Sequence, residues 1–515
     1  MDNKWWTLAA VCTGVFMLLL DVTVVNVALP DIQRSLHASF TDLQWVINAY
    51  SLTLAAFLLT AGVVGDMFGR RIVFAVGLAA FSVSSLVCGL SSSAGMLDLA
   101  RAVQGIGGAI MLATSLALIA QAFRGKDRGT AFGIYGAVLG GAVAIGPLVG
   151  GALTSGLGWR WIFFVNVPIG VVAIAITMRR VQESRGPSGR KIDWAGFISF
   201  SLSLFALVFA LVRANDEGWG STQIVGLLVG SAVLMAIFIA AELRQADPML
   251  DLALFKRPAM LGISLASFTI ASSIFSMFLY ITLYIQDVLG YGPFAAGLRF
   301  LPITLLAFVV APVSGKLTVR LPSRWLLGVG FALIALGLLL MADVGAASKW
   351  TVLLPGFVIA GIGIGISNPV IASGAVAVVP HQRSGMASGS ANTFRSVGIA
   401  TGIAALGSVF QTQVHQKTLA ALNATTAGSH VLATAGAGLK SALLEGAVLP
   451  LAASMHSRAA GQALVHAYRT GFSASFDNLA YISAVIALVG AVACVFLVRQ
   501  RDFVPSGGAP PAADA

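Results

Sequence analysis

LLLDVTVVNVALP, residues 18–30, sets an aspartate inside a run otherwise suited to lipid. A charged Asp near the centre of a membrane helix costs roughly 2.5–3.5 kcal/mol on insertion scales. A chain that keeps one there turns it towards other helices, where such residues mark proton or substrate paths. The run therefore reads as one helix of a polytopic bundle. Composition agrees: the 515 residues are 57% apolar and only 10% charged, against about 25% charged in soluble domains. The net charge of +11 does not point to nucleic acid, because the basic residues stand in short loops between apolar runs. That pattern orients a membrane protein. Cys12, Cys88 and Cys494 all fall in predicted spans and form no CxxC pair, so neither a disulfide framework nor a cysteine metal site is expected. The N-terminus has one early lysine and no small-residue cleavage site, so it reads as a first span and not a removed signal peptide.

A helix needs about 20 apolar residues to cross a bilayer. Fourteen runs qualify, from 5–29 and 41–64 through to 384–411 and 478–499. An even number puts both termini on one side. Loops on that side, with the termini, hold twenty Lys and Arg, and the other side holds eight. The positive-inside rule then makes the termini cytoplasmic. Arg101, Arg299 and Arg395 remain within spans. The predicted order is a first six-helix unit over 1–183, two extra spans over 184–256, and a second six-helix unit over 257–500. A long outside loop is expected at 412–477, and a disordered cytoplasmic tail at 501–515. Four of the six histidines, His415, His430, His456 and His466, lie in that loop at spacings that match no metal-ligand motif.

The chain repeats itself. GVVGDMFGRR (62–71) after span 2 is echoed by GKLTVRLPSR (315–324) after span 10, and AVQGIGGAI (102–110) by VIAGIGIGI (358–366). Spans 1–6 therefore match spans 9–14, with spans 7–8 inserted between. Two six-helix halves around a midplane cavity is an alternating-access transporter plan. The second copy has lost charge: Asp66 corresponds to Val319, and Arg101 to about Phe357.

Asp21 and Arg101 are the expected proton-coupling pair, the alternative being a static ion pair that locks two helices. Arg101, Gln104, Gly105 and Gly108 share one face of span 4 at i, i+3, i+4, i+7. Burial favours a neutral carboxyl and Arg101 favours the carboxylate. A group balanced in this way changes protonation as the cavity opens to one side or the other. In GDMFGRR, Gly62, Gly65 and Gly69 permit sharp turns. Asp66 is expected to pair with Arg70, with an arginine of a neighbouring loop, or with a helix N-terminus, as a cytoplasmic latch. Arg71 is an anchor of the same loop. In span 5, Gly136, Gly140, Gly146, Gly150 and Gly151 give small-xxx-small spacing, and Pro147 permits a kink. Asn26, Asn48, Gln104, Tyr280, Tyr284, Gln286, Asn368, Asn392 and Arg395 are candidates for lining the substrate cavity. No GxxxxGK[ST], HExxH or GxSxG occurs. GIGIGI in span 12 follows no strand, so it is not a dinucleotide fingerprint. The sequence supports a transporter and not an enzyme, with protons as coupling ion and no other cofactor.

These stretches carry a resemblance. GVVGDMFGRR, LARAVQGIGGA, GAVLGGAVAIGPLVGG (136–151) and LDVTVVNVALP resemble motifs of the major facilitator superfamily, specifically its fourteen-span drug:proton antiporters. WRWIFFVNVPIG (159–170) and YIQDVLGYGPFAAGLRFLP (284–302) are similar to that group as well. The resemblance implies an all-α fold of two six-helix bundles plus two linker helices in a bacterial cytoplasmic membrane. It implies export of amphiphilic compounds, often antibiotics, driven by inward proton flow, with Asp21 as coupling acid and Arg101 as its neighbour; a monomer is expected. Members that export organic cations carry further acids in spans 2, 10 and 13. The corresponding positions here are Asn48, about Ala307 and around Asn392, and span 13 carries Arg395. Neutral, zwitterionic or anionic amphiphiles are therefore expected before dications. Two alternatives stand beside this reading: an exporter of an endogenous lipid or cell-envelope metabolite, and a non-transporting membrane sensor or scaffold that reads through the 412–477 loop.

Overall fold

The computed structural model describes residues 3–503 apart from 124–125, 186–191, 246–247, 249, 319, 380–383, 433–438, 440–441, 443–447 and 456. Among the described residues fourteen long helices follow one another. They are α1 (Asn3–Leu36), α2 (Phe40–Phe68), α3 (Arg70–Leu90), α4 (Ala94–Ala122), α5 (Lys126–Leu157), α6 (Trp161–Arg180) and α7 (Trp194–Glu217). Then come α8 (Thr222–Arg244), α9 (Pro258–Val288), α10 (Pro293–Leu317), α11 (Ser323–Leu340), α12 (Trp350–Ala377), α13 (Ser384–Asn423) and α14 (Arg458–Leu497). Thirteen of them are long and apolar enough to cross a bilayer, and in α5 the described apolar stretch is Ala144–Leu157.

Local chemistry sets the reversals. Ser39 and Asp42 form a capping box that starts α2 three residues after α1 ends. Ser93 and Ser221 cap α4 and α8 through their side chains. Gly69, at φ +109°, breaks α2 from α3 in a conformation that suits glycine. Prolines open α9 and α10 in their first turns, where a missing N–H costs nothing.

The packing repeats with a shift of eight helices. α1 lies on α5, α2 on α4, and α3 on α4 and α6; α9 lies on α13, α10 on α12, and α11 on α12 and α14. Between the halves, α2 against α13 is mirrored by α5 against α10. α7 and α8 pack on one another, and α7 lies against α2 and α13.

The first and last described residues lie on one face of the bundle. Lys4 is ion-paired with Asp127 at the start of α5, at 2.8 Å. Ala259 N at the start of α9 donates to Asp502 Oδ2 at 3.1 Å. Residues 501–503 therefore belong to the second half: Asp502 caps α9, and Phe503 packs on the core. The expected tail begins later, and 504–515 lie outside the described residues.

On the far face one apolar cluster crosses the halves. It joins Leu20, Val24 and Leu29 of α1 and Phe40 and Leu43 of α2 to Met277 and Ile281 of α9 and Phe410 of α13. Towards the chain ends the first half has a cluster of its own, with Leu8, Val11, Leu58, Phe74 and Leu118, that contains no residue of the second half. The halves share an apolar core at the far face, while towards the terminal face α2 still meets α13, with Leu59 against Gly389.

The segment 412–477 departs from the loop expectation. α13 and α14 are 40 residues each, about 60 Å at 1.5 Å per residue and twice a roughly 30 Å hydrocarbon core. They continue beyond the far face as a helical hairpin, with a short helix Val448–Ser454 between them. Val414 and Leu422 pack with Leu464, Ala467 and Phe472. Asn478 Nδ2 donates to Gln413 Oε1 at 2.8 Å, and Lys417 Nζ to the Ala474 carbonyl at 2.6 Å. Gln, Lys, Arg and Ala form helix readily, and the polar ones among them keep these stretches from reading as spans. Among the described residues no three His, Cys, Asp or Glu side chains converge as a metal site; His456 lies outside them.

Candidate functional site

Asp21 sits midway along α1, and Arg101 two turns into α4. Antiparallel packing brings them together as a fully buried ion pair between Arg101 Nη1 and Asp21 Oδ2. Two amides complete the carboxylate's shell. Gln104 Nε2 donates to Asp21 Oδ1 at 2.9 Å, and Asn166 Nδ2 of α6 to the same oxygen at 3.2 Å. Asn166 also donates to Ser85 Oγ at 3.0 Å, and Ser85 to the Phe163 carbonyl at 2.9 Å.

Arg101 holds more than one acceptor. Its Nε donates to the Val46 carbonyl at 3.1 Å and its Nη1 to Gln104 Oε1 at 2.8 Å. Its guanidinium stands 4.2 Å from the Tyr50 ring centroid, within cation–π range. Gly105 makes this possible: a β-carbon there would strike the Tyr50 carbonyl oxygen. Should Asp21 take up a proton, Arg101 keeps a carbonyl, an amide oxygen and a ring. The pair can part without stranding the cation, which otherwise is the large cost of breaking a buried pair.

The span 5 glycines face two ways. Gly146 and Gly150 lie against Thr23 and Val24 of α1, just past Asp21. Gly151 lies against Pro293 and Phe294 of α10, and the Pro147 carbonyl faces Gly297 of α10. Ser155 Oγ accepts from Phe294 N at 2.9 Å. The motif thus forms the seam that shuts the far face. Gly136 meets nothing in α5's surroundings, and the surroundings of Gly140 are outside the described residues.

The GDMFGRR loop is tied within the first half. Arg70 donates through Nε and Nη2 to Asp66 Oδ1 at 3.0 and 2.8 Å. A third partner, Glu183 after α6, receives Arg71 N at 2.9 Å and Ile72 N at 3.3 Å. A β-carbon on Gly69 would fall 2.7 Å from the Glu183 carboxyl carbon. Gly65 packs near Thr114, and Gly62 is unencumbered. The helix N-terminus offered to Asp66 is taken by Glu183, because α6 ends beside α3. Neither Glu183 nor Asn166 was singled out from the sequence. Asn166, an amide in the apolar WRWIFFVNVPIG run, carried a signal; Glu183, one acid in a charged linker, did not. Val319, the counterpart of Asp66, lies outside the described residues.

The cavity candidates separate. Tyr280 and Tyr284 are struts: their hydroxyls donate to the Ile403 carbonyl at 3.0 Å and the Gly345 carbonyl at 3.1 Å. Gln286 Nε2 donates to the Val27 carbonyl at 2.7 Å and so closes the far face between the halves. Asn26 donates to Val22 of its own helix at 3.1 Å. Asn48 is fully buried with neither amide atom bonded. Asn368, Asn392 and Arg395 are half-buried, with Arg395 4.7 Å from the Phe275 ring centroid.

Residues 11–403 match the Major Facilitator Superfamily. The chain is 38% identical over 392 residues to the multidrug resistance protein Stp of Mycobacterium tuberculosis, covering 76% of this chain and 73% of that protein. It is 36% identical over 394 residues to the tetracenomycin C resistance and export protein of Streptomyces glaucescens, covering 75% and 72%. A puromycin resistance protein of Streptomyces alboniger is 36% identical, with 75% and 78% covered. Among solved structures, an inward-facing bacterial homologue of the human lysosomal transporter Spinster superposes with a TM-score of 0.60 at 18% identity, over 98% of this chain and 99% of that one. The repeated six-helix packing and these matches together place the chain in the Major Facilitator Superfamily, as a multi-pass membrane transporter.

Proposed function

We propose that the protein exports drug-like amphiphiles by alternating access, one proton entering as each substrate molecule leaves. It acts as a monomer in the bacterial cytoplasmic membrane, crosses the bilayer fourteen times, and has both termini in the cytoplasm. The far face is then the outside. The observation that carries the reading is the Asp21 shell, a carboxylate whose cationic partner has alternative acceptors already in place. Resistance and export proteins among the relatives support the substrate class. The twenty-to-eight excess of Lys and Arg on the terminal side supports the orientation.

Energetics permit one carboxylate to suffice. A proton moving down about 150 mV releases roughly 3.5 kcal/mol, which sustains a gradient of a few hundredfold for a neutral substrate. Purified protein in vesicles with an imposed pH gradient tests the proposal. Substrate should move against proton flow, and Asp21→Asn should abolish the response to the gradient. Coupled transport that survives Asp21→Asn refutes the proposed coupling.

A further inference from the structure

Arg395 is a cation without a counter-charge. It lies eleven residues into α13, about 16 Å from the terminal end of that helix at 1.5 Å per residue, near mid-bilayer. Among the described residues its guanidinium makes no hydrogen bond and no ion pair, and it stands 4.7 Å from the Phe275 ring centroid. Asp21 is committed to Arg101, Gln104 and Asn166. Helices α9 to α13 contain a single acid, Asp287, at the far-face end of α9. Twelve residues separate it from Phe275, roughly 18 Å of helix. A cation held so deep without a partner is costly, and a ligand that supplies the anion removes the cost.

The surroundings indicate the rest of such a ligand. Phe275 lies where a turn of π-helix, Ala271–Phe275, interrupts α9, a distortion frequent at functional sites. From Phe275 an aromatic wall leads away through Phe278 and Phe300 to Phe357, with successive centroids 5.6, 5.7 and 5.8 Å apart. One orphan amide, that of Asn48, stands towards the far face. The α2–α13 pairing sets Thr41 beside Gln411, Gln44 beside Gly407 and Leu59 beside Gly389. In that register Asn48 is level with about Ile403, roughly 12 Å beyond Arg395. Its buried amide has no partner.

We infer that Arg395 is the substrate's counter-ion, so the preferred cargo is an aromatic amphiphile with one acidic group, such as a carboxylate. This inference rests on the export reading and narrows its substrate class. The test is equilibrium binding to the protein in lipid nanodiscs, with no proton gradient, using three pyrene probes. These are 1-pyrenebutyrate, its methyl ester and a pyrenylbutyl trimethylammonium salt, each measured against protein-free discs. The wild type should bind the carboxylate about tenfold more tightly than the ester and bind the ammonium probe weakest. Arg395→Gln should bring the carboxylate-to-ester ratio to about one, and Arg395→Lys should keep part of it. Ratios within one variant do not depend on yield, and the wild-type order stands as a measurement by itself if Arg395→Gln does not fold. An unchanged ratio in Arg395→Gln, or tightest binding of the ammonium probe by the wild type, overturns the inference. Binding with the expected preference but without gradient-driven transport would refute the export reading and leave this assignment standing.

Discussion

The two halves share a packing plan and differ in what they bury at equivalent places. In the first half, Arg101 of α4 reaches across to Val46 and Tyr50 of α2 and to Asp21 of α1. In the second, Phe357 of α12 stacks on Phe300 of α10, and Phe300 meets Phe278 of α9 edge-on. The same triangle of helices holds a hydrogen-bonded charge network once and an aromatic stack once. A second difference lies on α5 and α13. At an offset of about 254 residues, Gly141 of the glycine-rich α5 becomes Arg395 of α13. One half has its charges closed upon themselves, and the other has an open cation beside an apolar wall. On the proposed reading, proton work belongs to the first half and cargo recognition to the second.

Breaking the first network should have the largest effect. Asp21→Asn is expected to lower pH-driven transport at least about a hundredfold, since the titrating group is gone. It also removes the charge partner of a buried arginine, a change that costs about 3–5 kcal/mol when the cation is left uncompensated. The alternative acceptors of Arg101, the Val46 carbonyl and Gln104 Oε1, should reduce that cost. Thermal unfolding of Asp21→Asn, Arg101→Gln and the double variant should therefore show the double variant close to Asp21→Asn and not further destabilised. A double variant that loses the sum of both single effects would mean that the two residues act independently.

Voltage sharpens the division of labour. Exchange of one proton for a neutral molecule moves one charge inward; exchange for a monoanion moves two. Each charge is worth roughly 2.3 kcal/mol per 100 mV, or about fiftyfold in the sustained gradient. Vesicles clamped at a potassium diffusion potential should accumulate the anionic pyrene probe with about twice the logarithmic voltage dependence shown by the ester. Equal slopes would detach cargo charge from the coupled step.

The aromatic counterpart gives the reverse outcome. Phe357 is fully buried, so Phe357→Ala should cost about 3–5 kcal/mol of stability. The response of transport to the pH gradient, normalised to folded protein, should persist. Loss of proton dependence in this variant would make the second half a partner in coupling.

Legibility in the sequence followed the same physics. An acid within LLLDVTVVNVALP is expensive in lipid, so Asp21 announced itself, and helical spacing put Arg101 and Gln104 on one face. Asn166 stood in a quoted run but could not be joined to Asp21 without the α1–α6 contact. Tyr280, Tyr284 and Gln286 were legible as polar groups in spans, while their partners are main-chain carbonyls that no sequence displays. The segment 412–477 read as a loop with helix-like patches, and the helical 412–423 and 458–477 stretches did not stand out as continuations of spans because Gln, His, Lys, Arg and Thr lower their hydropathy. Glu183 left no trace, since its role depends on where α6 ends in space.

That last residue gives the smallest test of the comparison. Glu183 accepts from the first amides of α3 at Arg71 and Ile72, the charge-favoured end of a helix. In the second half the acid that follows the last helix, Asp502, accepts instead from Ala259 N at the start of α9, and the 315–324 loop itself contains no acid. Glu183→Gln keeps one acceptor oxygen but turns an NH2 towards the other amide, so a loss of about 1 kcal/mol is expected, as for a removed cap. Hydrogen exchange at the Arg71 and Ile72 amides should quicken by roughly fivefold, with exchange in α11 unaltered and transport still proton-dependent. Should α11 respond equally, the terminal-face loop would be bracing both halves at once, and the first half would lose its claim to a private anchor on that face.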